Sequence, residues 1–294
     1  MKAVGGLMIL AAVVAAVAII AHYLIPAKPP ASTASIKTPS RTEKPTFEIY
    51  PEVEPTIEKP AAKPIIPPEF KLPKVAIIID DLGYDRKIAE KFLELDVALT
   101  FSILPFSPHQ KKIARMAHGK GMEVMLHLPM EPMEYPAVNP GQGTLLADMD
   151  PDRLIAQLEK NLDTLSGVKG VNNHMGSRLT AESSQLYQIF SILKKRGLFF
   201  VDSRTTTDSL CRPTARMFKV PFAQRDVFLD HHQQPEFIRK QIKALIEIAQ
   251  SHGEAVGIGH PYSSTYTVLQ EMLPELTKSV RVVPASDIVR VIEK

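Results

Sequence analysis

After Pro73 the chain repeats one pattern: a short apolar run, most often closed by a polar residue, followed by an amphipathic stretch and a glycine. The runs are VAIIIDD (75–81), ALTFSIL (98–104), MEVMLHL (122–128), GVNNHM (170–175), LFFVDS (198–203), DVFLD (226–230), EAVGIGH (254–260) and VRVVPAS (280–286). Runs of this length, rich in β-branched and aromatic residues and without strict alternation, suit strands buried on both faces, as in parallel sheets. Between them lie helical spacings. Leu154, Leu158, Leu162 and Leu165 recur every three or four residues behind Asp150 as N-cap and Pro151 at the first helical position. Ile238, Ile242, Leu245 and Ile248 do the same, and Gly119, Gly167, Gly197 and Gly253 stand where helix C-caps are expected.

Seven or eight such units predict an α/β chain: a closed or nearly closed seven- or eight-stranded β/α barrel over residues 74–294. A doubly wound sheet is the alternative. It is disfavoured because no G-x-G-x-x-G opens a helix: GQGTLL and GIGHPY each lack the third glycine.

Two segments of different character precede this region. Ala3 to Ile25 is a run of 23 residues without Asp, Glu, Lys or Arg, long enough as a helix to cross a hydrocarbon core of about 30 Å. Residues 1–25 are therefore read as one N-terminal transmembrane helix, a membrane anchor, in preference to a cleaved signal segment with its shorter apolar core. Lys2 flanks it on one side and Lys28, Lys37, Arg41 and Lys44 on the other, so the positive-inside rule alone does not favour export of the C-terminal part. Residues 26–73 hold 12 prolines in 48 residues and no glycine, a composition that favours extended polyproline II and predicts a disordered linker, a semi-rigid arm.

The polar residues that close the runs are Asp80 and Asp81, His127, His174, Asp202, Asp230 and His260. In a barrel of parallel strands these ends share one mouth, where catalytic groups collect. The adjacent carboxylates Asp80 and Asp81 repel unless something positive neutralises one of them. His127 and His174 with an aspartate at the same mouth make a two-histidine, one-carboxylate set, suited to Zn²⁺ or another divalent first-row ion with open positions. Asp230 is placed to orient a neighbour, whereas His231 and His232 read as loop residues, and His22, His109, His118 and His252 carry no role. A formal charge of +3 argues against a nucleic-acid binder, and the single cysteine, Cys211, excludes an intrachain disulfide and a cysteine-based zinc finger. No G-x-S-x-G, H-E-x-x-H or P-loop pattern is present.

IIIDDLG, LTFSILP, EVMLHLPMEP, PGQGTL, GVNNHMGSRLT, GLFFVDSRT, DVFLD and IGHP, in that order, resemble the divergent polysaccharide deacetylase family, a distant relative of the NodB-type carbohydrate esterases. The resemblance covers about residues 74–292 and implies the NodB-type distorted barrel. Carried over residue by residue, it implies Asp80 as base, Asp81 as metal ligand and His260 as general acid. Asp202 resembles a family position that holds His260 or a substrate hydroxyl. The classical pattern has two histidines four apart; here Glu131 follows His127 at that spacing, so His174 is the expected third ligand and Glu131 a further one within reach. The classical Arg-Pro block is absent, with Arg178 as a loose substitute.

The resemblance thus implies a metal-dependent hydrolase, with Zn²⁺ the expected ion, that removes N-acetyl or O-acetyl groups from an envelope or extracellular polysaccharide. Its members are bacterial and commonly carry an export or membrane segment, which implies a membrane-anchored domain in the periplasm, or a secreted one if the segment is cleaved. Two other readings stand beside it. One is a catalytically weak or inactive barrel acting as a glycan-binding or envelope interaction protein; the other is an amidase acting on a small nitrogenous substrate.

Overall fold

A computed structural model of the protein describes residues 72–293. The anchor expected over residues 1–25, and all but the last two residues of the Pro-rich segment, lie outside them. No helix among the described residues is long and apolar enough to cross a membrane.

Every apolar run contributes a strand. Lys74–Leu82 is β1, Thr100–Ile103 β2, Glu123–Met130 β3, Gly170–Met175 β4, Phe199–Asp202 β5, Val227–Phe228 β7, Glu254–Gly259 β8 and Arg281–Val282 β9. The remaining strand, β6 (Phe222–Gln224), was not expected; three residues behind a proline are too few to show a period. The sheet is parallel throughout, in the order β6-β5-β4-β3-β2-β1-β8-β7, with β9 added on β1. Helices α1 (Arg86–Leu93), α2 (Gln110–Gly119), α3 (Pro151–Leu162), α4 (Ser183–Arg196), α5 (Cys211–Phe218), α6 (Pro235–His252) and α7 (Ser263–Ser279) connect the strands.

The two faces of the sheet differ, and strand parity sets the difference. On β1, Val75, Ile77 and Ile79 pack in one cluster with helix residues such as Phe92, Leu158, Phe190, Leu245 and Leu276. Ala76 and Ile78 face the other way, into a smaller cluster with Met125, Phe199, Val201, Val256 and Ile258. That inner cluster contains no α-helical residue; Val283, Ala285 and Ile288, beyond β9, complete it. A doubly wound sheet would need helices on both faces, so the alternative is excluded and the sheet curls around its own side chains.

The segment after β9 seals the floor. The Ala285 amide donates to the Thr100 hydroxyl, the Ser286 amide to the Glu123 carboxylate, and Lys74 Nζ to the Asp287 carbonyl. Thr100, Glu123 and Lys74 are the first residues of β2, β3 and β1, so the floor lies at the N-terminal ends of the strands. The open mouth is at the other end.

Of the two expected forms, closed and nearly closed, the sheet takes the open one. β6 and β7 end the sheet on opposite sides and do not pair with each other. Only Arg225 and Asp226 separate them in sequence, and these two cross the gap: the Arg225 amide donates to the Asp202 carbonyl of β5 and the Asp226 amide to the Val256 carbonyl of β8, both at 2.9 Å. Residues spent on the crossing cannot lengthen either strand, so the result is a curled half-barrel with a seam.

The helices begin and end largely as their sequences dictate. Asp150 caps α3 by accepting from the Arg153 amide, and Pro151 occupies its first turn. Asp85, not Asp80 or Asp81, caps α1, which leaves the acidic pair free for the mouth. Gly197 and Gly253 adopt the left-handed conformation that ends α4 and α6. Gly119 instead lies inside the last turn of α2, capped by Lys120, and Gly167 lies beyond Asp163, which caps α3.

Candidate metal centre

Strand alternation places Asp80 behind Ala76 and Ile78, facing the interior, and would turn Asp81 toward the helices. It does not, because the strand breaks register there. Asp81 has a φ of 55°, and the pairing of β1 with β2 shifts between Ile79 and Leu82. A bulge of this kind re-aims one side chain, and both carboxylates enter the same site. His127 follows Met125 on the inner face of β3. On β4 Asn172 and His174 share a face.

Three of these side chains converge. Asp81 Oδ1 lies 2.8 Å from His174 Nδ1 and 3.1 Å from His127 Nε2, and the two nitrogens are 3.1 Å apart. All three residues are buried and form a group able to hold a metal ion. Neither Asp81 oxygen makes an aligned hydrogen bond, and His174 Nε2 is also without one. Buried polar atoms are almost always paired. Three ligand atoms in so tight a triangle, with no aligned hydrogen bond to the carboxylate, fit a cation: bonds of about 2.0–2.2 Å bring neighbouring ligand atoms to about 3 Å of one another. The donor set, two imidazoles and one carboxylate with open positions, suits Zn²⁺ or another divalent first-row ion.

The flanking groups divide by chemistry. Burial pushes the Asp80 carboxyl above its ordinary range, against the opposing pull of His127, His260 and the Asn172 amide. Burial acts on Asp81 too, but His174, His127 and His260 outweigh it and hold that carboxyl well below its ordinary range. Two adjacent carboxylates driven apart in this way can take different roles, one a permanent anion and one a proton acceptor. Burial alone would lower the His260 imidazole; Asp230, then Asp81 and Asp80, outweigh it and push it up to about 9. Asp230 Oδ1 lies 2.8 Å from His260 Nδ1, while its Oδ2 accepts from the His260 amide and the Thr265 hydroxyl. His260 Nε2 points the other way, 3.6 Å from Asp81 Oδ2.

Residues 77–289 match the divergent polysaccharide deacetylases. The chain belongs to that family. The uncharacterized protein YibQ of Escherichia coli K12 is 33% identical over 215 residues, 73% of this chain and 67% of that protein. An uncharacterized protein of Haemophilus influenzae is 31% identical over 214 residues, 73% of this chain and 76% of its own length. The crystal structure of the uncharacterized protein ATU2773 from Agrobacterium tumefaciens superimposes with a TM-score of 0.72 at 27% identity, covering 76% of this chain and 91% of that one.

For this divergent polysaccharide deacetylase, two expectations from the classical pattern need correction. Asp202 does not hold His260. It has the opposite parity to Phe199 and Val201 on β5, so it turns away from the interior, where its oxygens accept from the Arg204 amide and the Ser209 hydroxyl. Asp230 is the partner of His260. Nor does Glu131 join the three ligands: Oε1 pairs with Arg178 at 2.6 Å and Oε2 accepts from the Ala147 amide at 2.5 Å. Arg178 therefore serves Glu131 and tethers the loop after β3.

Sequence reading passed over Asn172. It is completely buried and contacts His127, Asp80, Ser102 and Ser203. A signal was present: asparagine in an otherwise buried strand must be hydrogen-bonded, and its i, i+2 spacing from His174 puts both on one face.

Proposed function

We propose that this divergent polysaccharide deacetylase is a metal-dependent hydrolase that removes acetyl groups, N-linked in the first instance, from a glycan. The observation that carries the reading is the convergence of Asp81, His127 and His174 on one point, with Asp80 and the His260–Asp230 pair beside it. A divalent ion held by those three residues supplies Lewis-acid polarisation of an acyl oxygen and an acidified water.

The chain's own groups then divide the proton work. Asp80, whose carboxyl burial makes a better proton acceptor than a surface aspartate, takes a proton from the attacking water. His260, protonated at neutral pH through Asp230, gives one to the departing nitrogen. Water and amide are thereby converted to acetate and amine with protons balanced. Asp230 fixes the imidazole through Nδ1, leaving Nε2 as the donor. The apolar segment over residues 3–25 supports a membrane-anchored chain, and the family resemblance favours a domain on the outer side, where polymeric envelope glycans are the available substrates.

The test uses the full chain, wild type beside His127→Ala and His174→Ala. Elemental analysis measures bound metal, and acetate release from N-acetylated chitooligosaccharide or peptidoglycan fragments measures turnover with added Zn²⁺. One ion per chain, lost in both variants together with acetate release, is the expected result. A wild-type chain that takes up no divalent ion sinks the hydrolase and leaves a glycan-binding barrel in its place.

A further inference from the structure

The Asn172 carboxamide touches both halves of the centre. Its Oδ1 accepts from the Ser102 hydroxyl at 2.6 Å and lies 2.8 Å from His127 Nδ1. Its Nδ2 donates to both oxygens of Asp80, at 2.8 and 3.0 Å, with Ser203 Oγ at 3.4 Å. The orientation of the amide is dictated by its neighbours. An ionised carboxylate only accepts, so turning the amide round would set its oxygen against the two Asp80 oxygens. With Nδ2 on Asp80, Oδ1 must face His127, and the His127 nitrogen beside it must carry the proton. With Nδ1 holding its proton toward Asn172, Nε2 is the nitrogen left for an ion to take in place of a proton; it lies 3.1 Å from Asp81 Oδ1 and from His174 Nδ1.

We propose that Asn172 is a positioning residue that sets the tautomer of His127 as a ligand and, through the same amide, holds Asp80 as the base. The catalytic half rests on the function proposed above; the tautomer half does not. No other side chain of this size does both jobs. Aspartate keeps the acceptor for His127 but has no donor for Asp80. Leucine fills the volume and loses both, leaving the His127 N–H, the Ser102 hydroxyl and the Asp80 carboxylate buried and unpaired.

The full chain, wild type beside Asn172→Asp and Asn172→Leu, is read in three ways. The imidazole ¹⁵N spectrum of the metal-free chain, with His127 assigned by difference from His127→Gln, gives the tautomer. Co²⁺ absorption titration gives metal affinity, and acetate release gives kcat. Expected are a proton on His127 Nδ1 in wild type and Asn172→Asp, and a bare Nδ1 in part of the Asn172→Leu population, with Co²⁺ bound about 10–100-fold more weakly. Asn172→Asp is expected to retain Co²⁺ affinity while kcat falls about 10²-fold, a split that a merely structural role would not give. Asn172→Asp, close in shape to the native side chain, decides the matter if the leucine variant does not fold. A His127 with a bare Nδ1 in the wild type overturns the inference, as does wild-type kcat in Asn172→Asp. If the wild type binds no Co²⁺ and releases no acetate, the hydrolase reading falls, and the ¹⁵N spectrum alone decides the tautomer.

Discussion

Glu131 lies 2.6 Å from the Arg178 guanidinium, so the carboxylate four residues after His127 is neutralised by a cation on the protein. It has no charge to spare for a metal. Glu131→Gln should retain the wild-type metal content by elemental analysis, whereas His127→Ala and His174→Ala lose theirs. Glu131→Ala, which removes the acceptor of the Ala147 amide, should cost about 1–3 kcal/mol in denaturant unfolding. Loss of metal in Glu131→Gln would make Glu131 a ligand after all.

The two aspartates that end neighbouring runs should behave differently on substitution. Asp230→Asn weakens the hold on the His260 proton, and kcat for acetate release should fall about 10²-fold or more with bound metal unchanged. Asp202→Asn, on the opposite face of its strand, should leave kcat near wild type and lower only the melting temperature, through the loop that Ser209 and Arg204 anchor. Equal loss of kcat in the two variants would count against the partner assignment.

Asp226, in the seam, supplies a pH test away from the centre. Burial raises its carboxyl above the ordinary range, against the opposing pull of the Val256 amide, His252 and Arg225. A carboxyl raised in the folded state is penalised when ionised, so the penalty is fully present above its folded pKa. It is relieved as pH falls through that value toward the unfolded pKa of about 3.9. Asp226→Asn keeps an acceptor for the Val256 amide and never carries the charge. Its melting temperature should exceed that of wild type at neutral pH, with the gap narrowing as pH drops toward 4. A gap that widens on acidification would reverse the sign.

Gly170 leaves room for a ring. A Cβ there would meet three Phe199 ring atoms at 2.3, 2.3 and 2.6 Å, on the inner face two residues before Asn172. Gly170→Ala should cost about 1–3 kcal/mol by overpacking. Gly170→Ala with Phe199→Leu should show a favourable coupling in a double-mutant cycle. Strict additivity would mean that the two side chains do not compete for the space.

The architecture was legible because all the strands but β6 lie in short, largely apolar runs, and the polar residue that closes most of them is a single-letter signal. Asp81, His127, His174 and His260 could be marked without knowing which strands are neighbours, since parallel strands bring their C-terminal ends together. Parity was the harder matter. Asp202 and Asp230 both close apolar runs, but only one has the parity that faces the interior, and the register of a four-residue strand is set by packing that the run itself does not encode. Asp81 errs in the opposite direction: simple alternation would have turned it outward, and a positive φ with a shift of register, invisible in composition, brings it in. The seam was unreadable because β6 and β7 are three and two residues long. Asn172 escaped notice because it carries no charge, while its task is to arrange the groups that do.

The floor formed by Val283, Ala285 and Ile288 has a consequence for biosynthesis. A ribosome that has translated as far as His260 has made every residue of the centre, yet the inner cluster around Ile78, Met125, Val256 and Ile258 still lacks its lower layer. Domains form as the chain emerges, N-terminal parts first, but this one carries an exposed apolar cup until its final segment arrives. The cup beneath the mouth is thus closed by the part of the domain that is made after every residue of the mouth.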